Sequence, residues 1–192
     1  LIEPHWYGDE GIYQVVGRVI NGGGILYKDI WDNKPPLLYL IYAIFNGELY
    51  YVKLASLFAG LFSLLSLYIL TGFLFKKIEG RFLSTFVFSL LFALPIIEGN
   101  IANAENFMLF PIILSAVFIF KFLETDKNKY LYISGVLLSV AFITKIVAIF
   151  DFLAFFTFLI FIKYENFKIL KIKFRKVKPY VLFTLFFVSL MM

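Results

Sequence analysis

Acidic and basic side chains that could carry chemistry lie in three separate parts of the sequence. The adjacent carboxylates Asp9 and Glu10 and the lysine Lys34 fall within the first fifty residues. Glu105 and Lys145 each border a long apolar stretch. A carboxylate accepts protons and an ammonium stabilises negative charge, so these residues would suit acid–base chemistry on an anionic substrate if the fold brought them together.

Each of these residues also has a purely structural interpretation. Asp9 fits the N-cap of the helix that follows it equally well, and Glu105 could cap the next apolar helix. Lys34 could be a snorkelling cation at the level of the lipid headgroups. Lys145 could have the same role, with Asp151 as its partner.

A short amphipathic helix must position the two adjacent acids. Asp9 and Glu10 stand at its N-terminus, where the helix dipole favours anions, and the three glycines at 22–24 end it. The helical spacing predicts an apolar face made of Ile12, Val15, Val16, Val19 and Ile20.

A polar and aromatic loop at 27–36 must position Lys34. Two prolines at its end stiffen it. They lead into the apolar segment Leu37–Phe45, which is too short to span a bilayer and which we interpret as an interfacial helix.

The remaining chain has the composition of an integral membrane protein. Hydrophobic residues make up 61% of it and the mean hydropathy is +0.88, which leaves too little polar material for a soluble surface. The sequence predicts an all-α, multi-pass helical bundle in one transmembrane domain over 1–192, with an outer loop at 1–50. The predicted spans are about 51–75, 82–97, 107–122, 131–146, 149–162 and a truncated 180–192.

Loop charge predicts the orientation of this bundle. With 1–50 outside, 13 of the 18 basic residues fall inside and nine of the 13 acidic residues outside. This pattern places the chain in a cell membrane with residues 1–50 extracytoplasmic, and it explains the net charge of +5 without a nucleic-acid partner. Cysteine is absent, which excludes a disulfide framework and a thiolate metal site.

The two ends of the sequence suggest an N-terminal fragment of a longer protein. Leu1 is not an initiator, and Met192 lies inside an apolar run. We expect at least one helix before the first residue and more after the last.

The first fifty residues resemble the first outer loop of GT-C glycosyltransferases. The resemblance is carried by Asp9-Glu10-Gly11-Ile12-Tyr13, a helix containing Arg18, a glycine turn, Tyr27 and Lys34-Pro35-Pro36-Leu37. It is nearest to bacterial and archaeal relatives of protein O-mannosyltransferases and of the aminoarabinose transferase that modifies lipid A. It extends from about Pro4 to Lys145.

The resemblance implies transfer of a sugar from a polyprenyl-phosphate donor to a lipid, glycan or protein acceptor, at the outer face of the bilayer. Asp9 matches the catalytic carboxylate and Glu10 stands beside it, while Lys34 matches the lysine that meets the donor phosphate. Arg18, Glu105 and Lys145 are expected to bind substrates. With Asp9 as general base, a direct displacement would invert the anomeric centre.

Two departures from the lipid A enzymes narrow this expectation. Ile12 replaces an arginine of the first motif, which argues against aminoarabinose. Asn33 replaces an acid that helps to hold a metal, so a divalent metal is uncertain, with Asp9, Glu10 and Glu105 as its candidate ligands.

The alternative function is that of a transporter or a flippase subunit for lipid-linked sugars. Such a protein would need charges in the middle of its spans, along a path. Here the charges gather near one face.

Overall fold

The structure is a computed structural model that describes residues 8–165. Regular structure in these residues is helical, which confirms the predicted all-α class; the predicted span at 180–192 lies outside them. The seven α-helices are α1 (Gly8–Asn21), α2 (Pro36–Ile44), α3 (Leu49–Leu74), α4 (Ile78–Phe92), α5 (Ala104–Thr125), α6 (Lys129–Thr144) and α7 (Ala148–Glu165).

Two of these helices, α3 and α5, are long and apolar enough to cross a membrane. They overlap the first and third predicted spans, although α3 ends one residue before the predicted 75. The 22 residues of α5 correspond to about 33 Å, close to the thickness of a bilayer core. The apolar helices α6 and α7 are shorter. The two long apolar helices support the prediction that the chain is a membrane protein.

The second predicted span differs from the helix that is observed. The prediction covered 82–97, but α4 starts at Ile78 and ends at Phe92. Pro95 explains the early end, because the residue before a proline is pushed away from helical geometry. Leu94 is accordingly extended, with φ −71° and ψ 128°, and a short 3₁₀ turn follows at Pro95–Ile97.

The long apolar stretch 131–162 is divided between two helices, α6 and α7. The backbone at Lys145 is extended, with φ −152° and ψ 127°, and it separates α6 from α7. Lys145 therefore lies in a connection rather than within a helix.

The central helices α5 and α6 pack along their lengths, and α3 packs on the other side of α5. A buried hydrogen bond of 2.7 Å joins the hydroxyls of Ser115 and Ser134 across the α5–α6 interface. Hydroxyl pairs of this kind hold helices together where lipid surrounds them. The apolar core of α5, α6 and α7 extends along these helices, from Ala141 and Ala148 beside Lys145 to Phe122 and Ile162 at the other end.

Helices α1 and α2 form a second, smaller core. Tyr13 packs edge-to-face against Tyr39 and Tyr42, with ring centroids 6.0 and 5.5 Å apart. A Cβ added at Gly17 would lie 2.8 Å from the backbone of Tyr42, so only glycine permits this approach. This pairing holds the start of α1 in a fixed orientation.

The buried face of α1 differs from the predicted one. Tyr13, Val16 and Gly17 are buried, whereas Ile12 and Val15 are about half exposed. The aromatic contacts of Tyr13 and the close approach at Gly17 rotate the helix away from its most apolar stripe. Its C-terminal stop is as predicted, since Gly23 has φ +91° and Gly24 N–H donates to Val19 O.

Candidate active site

Asp9 and Lys34 meet at the N-terminus of α1. The Lys34 Nζ lies 2.8 Å from Asp9 Oδ2, and the two residues are 25 positions apart in the sequence. Asp9 stands within the first turn of α1 rather than before it. Its carboxylate contacts the side chains of Lys34 and Tyr13. The side chain of an N-cap would instead accept from backbone N–H groups of the first turn.

Tyr13 completes a triangle with this pair. Its hydroxyl donates to Asp9 Oδ2 at 2.9 Å and also contacts Lys34 Nζ. The hydrogen bond from Lys34 is the main influence that lowers the pKa of Asp9, and it outweighs the opposing effect of burial. Burial and the bond to Asp9 raise the pKa of Tyr13 far above its usual value. Asp9 is therefore ionised and Tyr13 is a neutral donor.

The loop before α2 fixes the backbone of Lys34. The Tyr27 hydroxyl donates to Lys34 O at 2.6 Å, and Lys34 N–H donates to the Tyr39 hydroxyl at 3.2 Å. The same Tyr39 hydroxyl donates to Asp32 Oδ2 at 2.6 Å. Since Tyr39 is itself buried in the α1–α2 core, this network ties the lysine to the helix that carries Asp9.

A second acid–lysine pair lies at the same end of the helices. Glu105 in the first turn of α5 contacts Lys145 in the α6–α7 connection. Lys145 is close enough to Asp9 to lower the pKa of that carboxyl further. Asn103, and not Glu105, caps α5 by accepting from the N–H of Asn106 at 3.1 Å. The structure thus brings together Asp9, Lys34, Glu105 and Lys145 from three parts of the chain.

Glu10 points away from this group. Its side chain is 3% exposed, and its Oε1 accepts from the N–H of Ala102 at 2.7 Å. Its Oε2 lies 3.8 Å from Nζ of Lys53, which is also buried. The geometry favours a positioning role for Glu10, in contrast to the catalytic role suggested by the sequence. Lys53 was not among the predicted site residues. It is the one charged residue in the apolar sequence of α3, and this isolation could have identified it.

We expect Glu10→Gln to destabilise the folded chain by about 3–5 kcal/mol. Glutamine keeps an acceptor for Ala102 but leaves the Lys53 ammonium buried without a counter-charge. The double variant Glu10→Gln/Lys53→Met removes that charge and should recover most of the loss. Thermal unfolding of the full chain in detergent measures both effects.

The matched control for this pair is Arg18→Gln. It breaks an exposed ion pair with Glu48, in which both side chains are more than half exposed, and should change stability by less than about 1 kcal/mol. A Glu10→Gln variant as stable as the wild type would contradict the expected contribution of the buried Glu10–Lys53 pair to stability.

Arg18 lies outside the group of four. It is nine residues beyond Asp9, or roughly 13.5 Å along the axis of α1. Its guanidinium contacts Glu48 and donates to Asn46 O at 3.3 Å. The structure therefore separates this predicted substrate ligand from the acids and lysines of the site.

The three candidate metal ligands do not form one cluster, because Glu10 points away from Asp9 and Glu105. Each acid faces a different lysine: Asp9 contacts Lys34, Glu105 contacts Lys145, and Glu10 faces Lys53. Among residues 8–165, no three acidic or histidine side chains lie close enough together to hold a metal ion. Magnesium is usually bound through one or two carboxylates together with substrate phosphates, so a divalent metal stays a prediction and we assign no step to one.

Comparison with known proteins identifies a family for this chain. A family model described as dolichyl-phosphate-mannose-protein mannosyltransferase matches residues 34–192. The match starts at Lys34 and covers α2 to α7. No curated protein and no solved structure matches the chain significantly.

Proposed function

Since the chain belongs to the dolichyl-phosphate-mannose-protein mannosyltransferase family, we propose that it transfers a sugar from a polyprenyl-phosphate donor to an acceptor hydroxyl at the outer face of the membrane. Membership of this family implies a membrane glycosyltransferase with a lipid-linked sugar donor. The proposed transfer to a hydroxyl rests on the contact between Asp9 and Lys34, which places a proton acceptor beside a cation.

The proposed reaction is a single displacement at the anomeric carbon. Asp9 takes the proton of the acceptor hydroxyl, whose oxygen forms a bond to the anomeric carbon. The bond from that carbon to the phosphate oxygen breaks at the same time, and its electron pair leaves on the polyprenyl phosphate. Lys34 stabilises the charge that develops on the phosphate. The products are the glycosylated acceptor and the lipid phosphate, with inversion at the anomeric carbon.

In this proposal the contact between Asp9 and Lys34 belongs to the state without donor. In a displacement the attacking and leaving oxygens lie on opposite sides of the anomeric carbon, so their partners must be further apart than 2.8 Å. The donor phosphate competes with the Asp9 carboxylate for the Lys34 ammonium. Binding of the donor therefore frees Asp9 to accept a proton.

Lys145 is proposed as a second cation near the phosphate, with Glu105 as its partner in the absence of donor. The lysines supply the positive charge that a leaving phosphate requires. Transfer assays on the full-length protein in membranes, with a panel of polyprenyl-phosphate sugars and a hydroxyl acceptor, test the proposal. Donor-dependent movement of lipid phosphate across the bilayer without sugar transfer would support a flippase subunit instead.

The proposed topology is a multi-pass bundle with the Asp9 end of its helices outside. Glu105 and Lys53 lie at that end of α5 and α3, whereas Lys127 and Lys129 lie beyond the far end of α5. Basic loops stay on the inner side, which puts the site on the outer side. Residues 1–50 would then form the outer catalytic loop.

We expect single cysteines at Asn100 and Thr125 to differ in labelling. Both positions are exposed: Asn100 precedes α5, and Thr125 is its last residue. The chain has no cysteine of its own. A membrane-impermeant maleimide added to intact cells should label Asn100→Cys and leave Thr125→Cys unlabelled until the cells are opened. Labelling of Thr125→Cys alone in intact cells would reverse the topology.

A further inference from the structure

A cavity of about 390 Å³ adjoins Lys34 on the side of the loop at 27–36. The loop supplies Tyr27, Trp31, Asp32, Asn33 and the two prolines to its wall, and the end of α6 and the connection after it supply apolar residues, including Phe142. The volume falls within the ~300–1,000 Å³ range of pockets that bind small molecules.

The aromatic wall of this cavity is open to a ligand. Trp31 is 73% exposed and Tyr27 is 45% exposed, so large ring faces remain uncovered. The Asp32 carboxylate beside them is held in place: its Oδ1 accepts from the backbone N–H of Asn33 at 2.7 Å, and its Oδ2 accepts from Tyr39. Flat aromatic faces beside a fixed carboxylate suit a sugar, whose C–H faces pack on rings and whose hydroxyls donate to acceptors.

The backbone of Tyr27 is strained in a way that preserves this arrangement. Its φ is +67°, a region that a bulky side chain rarely adopts. Its N–H donates to Ile30 O at 2.7 Å, and its hydroxyl donates to Lys34 O. The hydrogen bond to Lys34 ties the aromatic wall to the residue that is proposed to bind phosphate.

We propose that this cavity is the subsite for the sugar of the lipid-phosphate donor, with Trp31 and Tyr27 packing on the ring and Asp32 and Asn33 binding its hydroxyls. The inference rests on the proposed function. The sugar is one oxygen atom away from the phosphorus, so the cavity that receives it must share a wall with the phosphate-binding lysine. Lys34 lines this cavity.

Paired binding titrations of the full-length protein test the subsite. The probes are dolichyl-phosphate mannose and sugar-free dolichyl phosphate of the same chain length. We expect Trp31→Ala to weaken binding of the mannosylated lipid about 3- to 10-fold, from the loss of ring packing, and to leave the sugar-free lipid unchanged. Trp31→Phe should recover part of the loss. Lys34→Gln should weaken both lipids, since both carry the phosphate.

Tyr50→Ala is the matched control for membrane anchoring. Tyr50 is 53% exposed at the start of α3, but it does not line the cavity, and its removal should alter neither titration. Equal loss of both lipids in Trp31→Ala would assign the cavity to the lipid chain and overturn the sugar subsite. An unchanged titration in Trp31→Ala would overturn it as well. Failure of both lipids to bind the wild type would instead remove the proposed function on which the subsite rests.

Discussion

Asp9→Asn is expected to lower the rate of single-turnover transfer by about 10²- to 10⁴-fold, the usual range for loss of a general base. The amide oxygen of asparagine still accepts from Tyr13 and Lys34, so the geometry of the triangle is kept. The substitution therefore removes basicity with little change in shape. Donor binding should survive much better than turnover, because Lys34 remains in place.

The control for this variant is Glu48→Gln, which neutralises an exposed acid paired with Arg18, away from the site. It should transfer sugar at the wild-type rate. Turnover near the wild-type rate in Asp9→Asn would remove the assignment of the base. Glu105 would then be the next candidate, since it belongs to the same group of charges and is half exposed, whereas Glu10 is buried.

Lys34→Gln is expected to lower transfer about 10²- to 10³-fold, the range found when one stabilising donor is removed from a developing anion. Lys34→Arg should keep part of the rate, because it keeps the charge but changes the shape of the donor group. Both measurements use single-turnover kinetics of the full-length protein with saturating acceptor.

Lys34→Gln should also change the dependence of the rate on pH. The bond from Lys34 lowers the pKa of Asp9, so removing it should raise that pKa toward the ordinary value of an aspartate. The base must be deprotonated to act, and activity is lost as the pH falls through its pKa. The bond exists in the protein without donor, so the shift should appear in kcat/KM for the donor, which reports on the free enzyme. The acid limb of that profile should therefore move to higher pH. Lys28→Gln, an exposed lysine of the same loop, is the control and should leave rate and profile unchanged.

Much of the fold follows from residue pattern alone. The apolar lengths of α3 and α5 predict long helices, and the three glycines predict the end of α1. The buried face of α1 was not predictable in the same way. It depends on the contacts of Tyr13 and Gly17 with α2, and periodicity within one helix carries no information about its partner.

The site was predictable as a set of residue types but not as a set of pairs. The resemblance to GT-C enzymes selected Asp9 and Lys34, and the structure places them in contact. It also selected Glu10 as the neighbour of Asp9, but adjacent residues on a helix point about 100° apart, and Glu10 turns into the interior. Its partner Lys53 could be identified only when the distant segments were placed in space.

The bond from Ala102 to Glu10 joins residues 92 positions apart, and this separation governs the order in which the protein matures. Synthesis runs from the N-terminus, so α1 is complete long before Ala102 exists. Between Glu10 and Ala102 the ribosome adds 92 residues, which takes about 5 to 18 s at ~5–20 residues per second. During that interval the Glu10 carboxylate lacks the backbone N–H that it binds in the folded protein. Helix α1 is thus made before α5 but gains its last long-range hydrogen bond only when the chain reaches the start of α5.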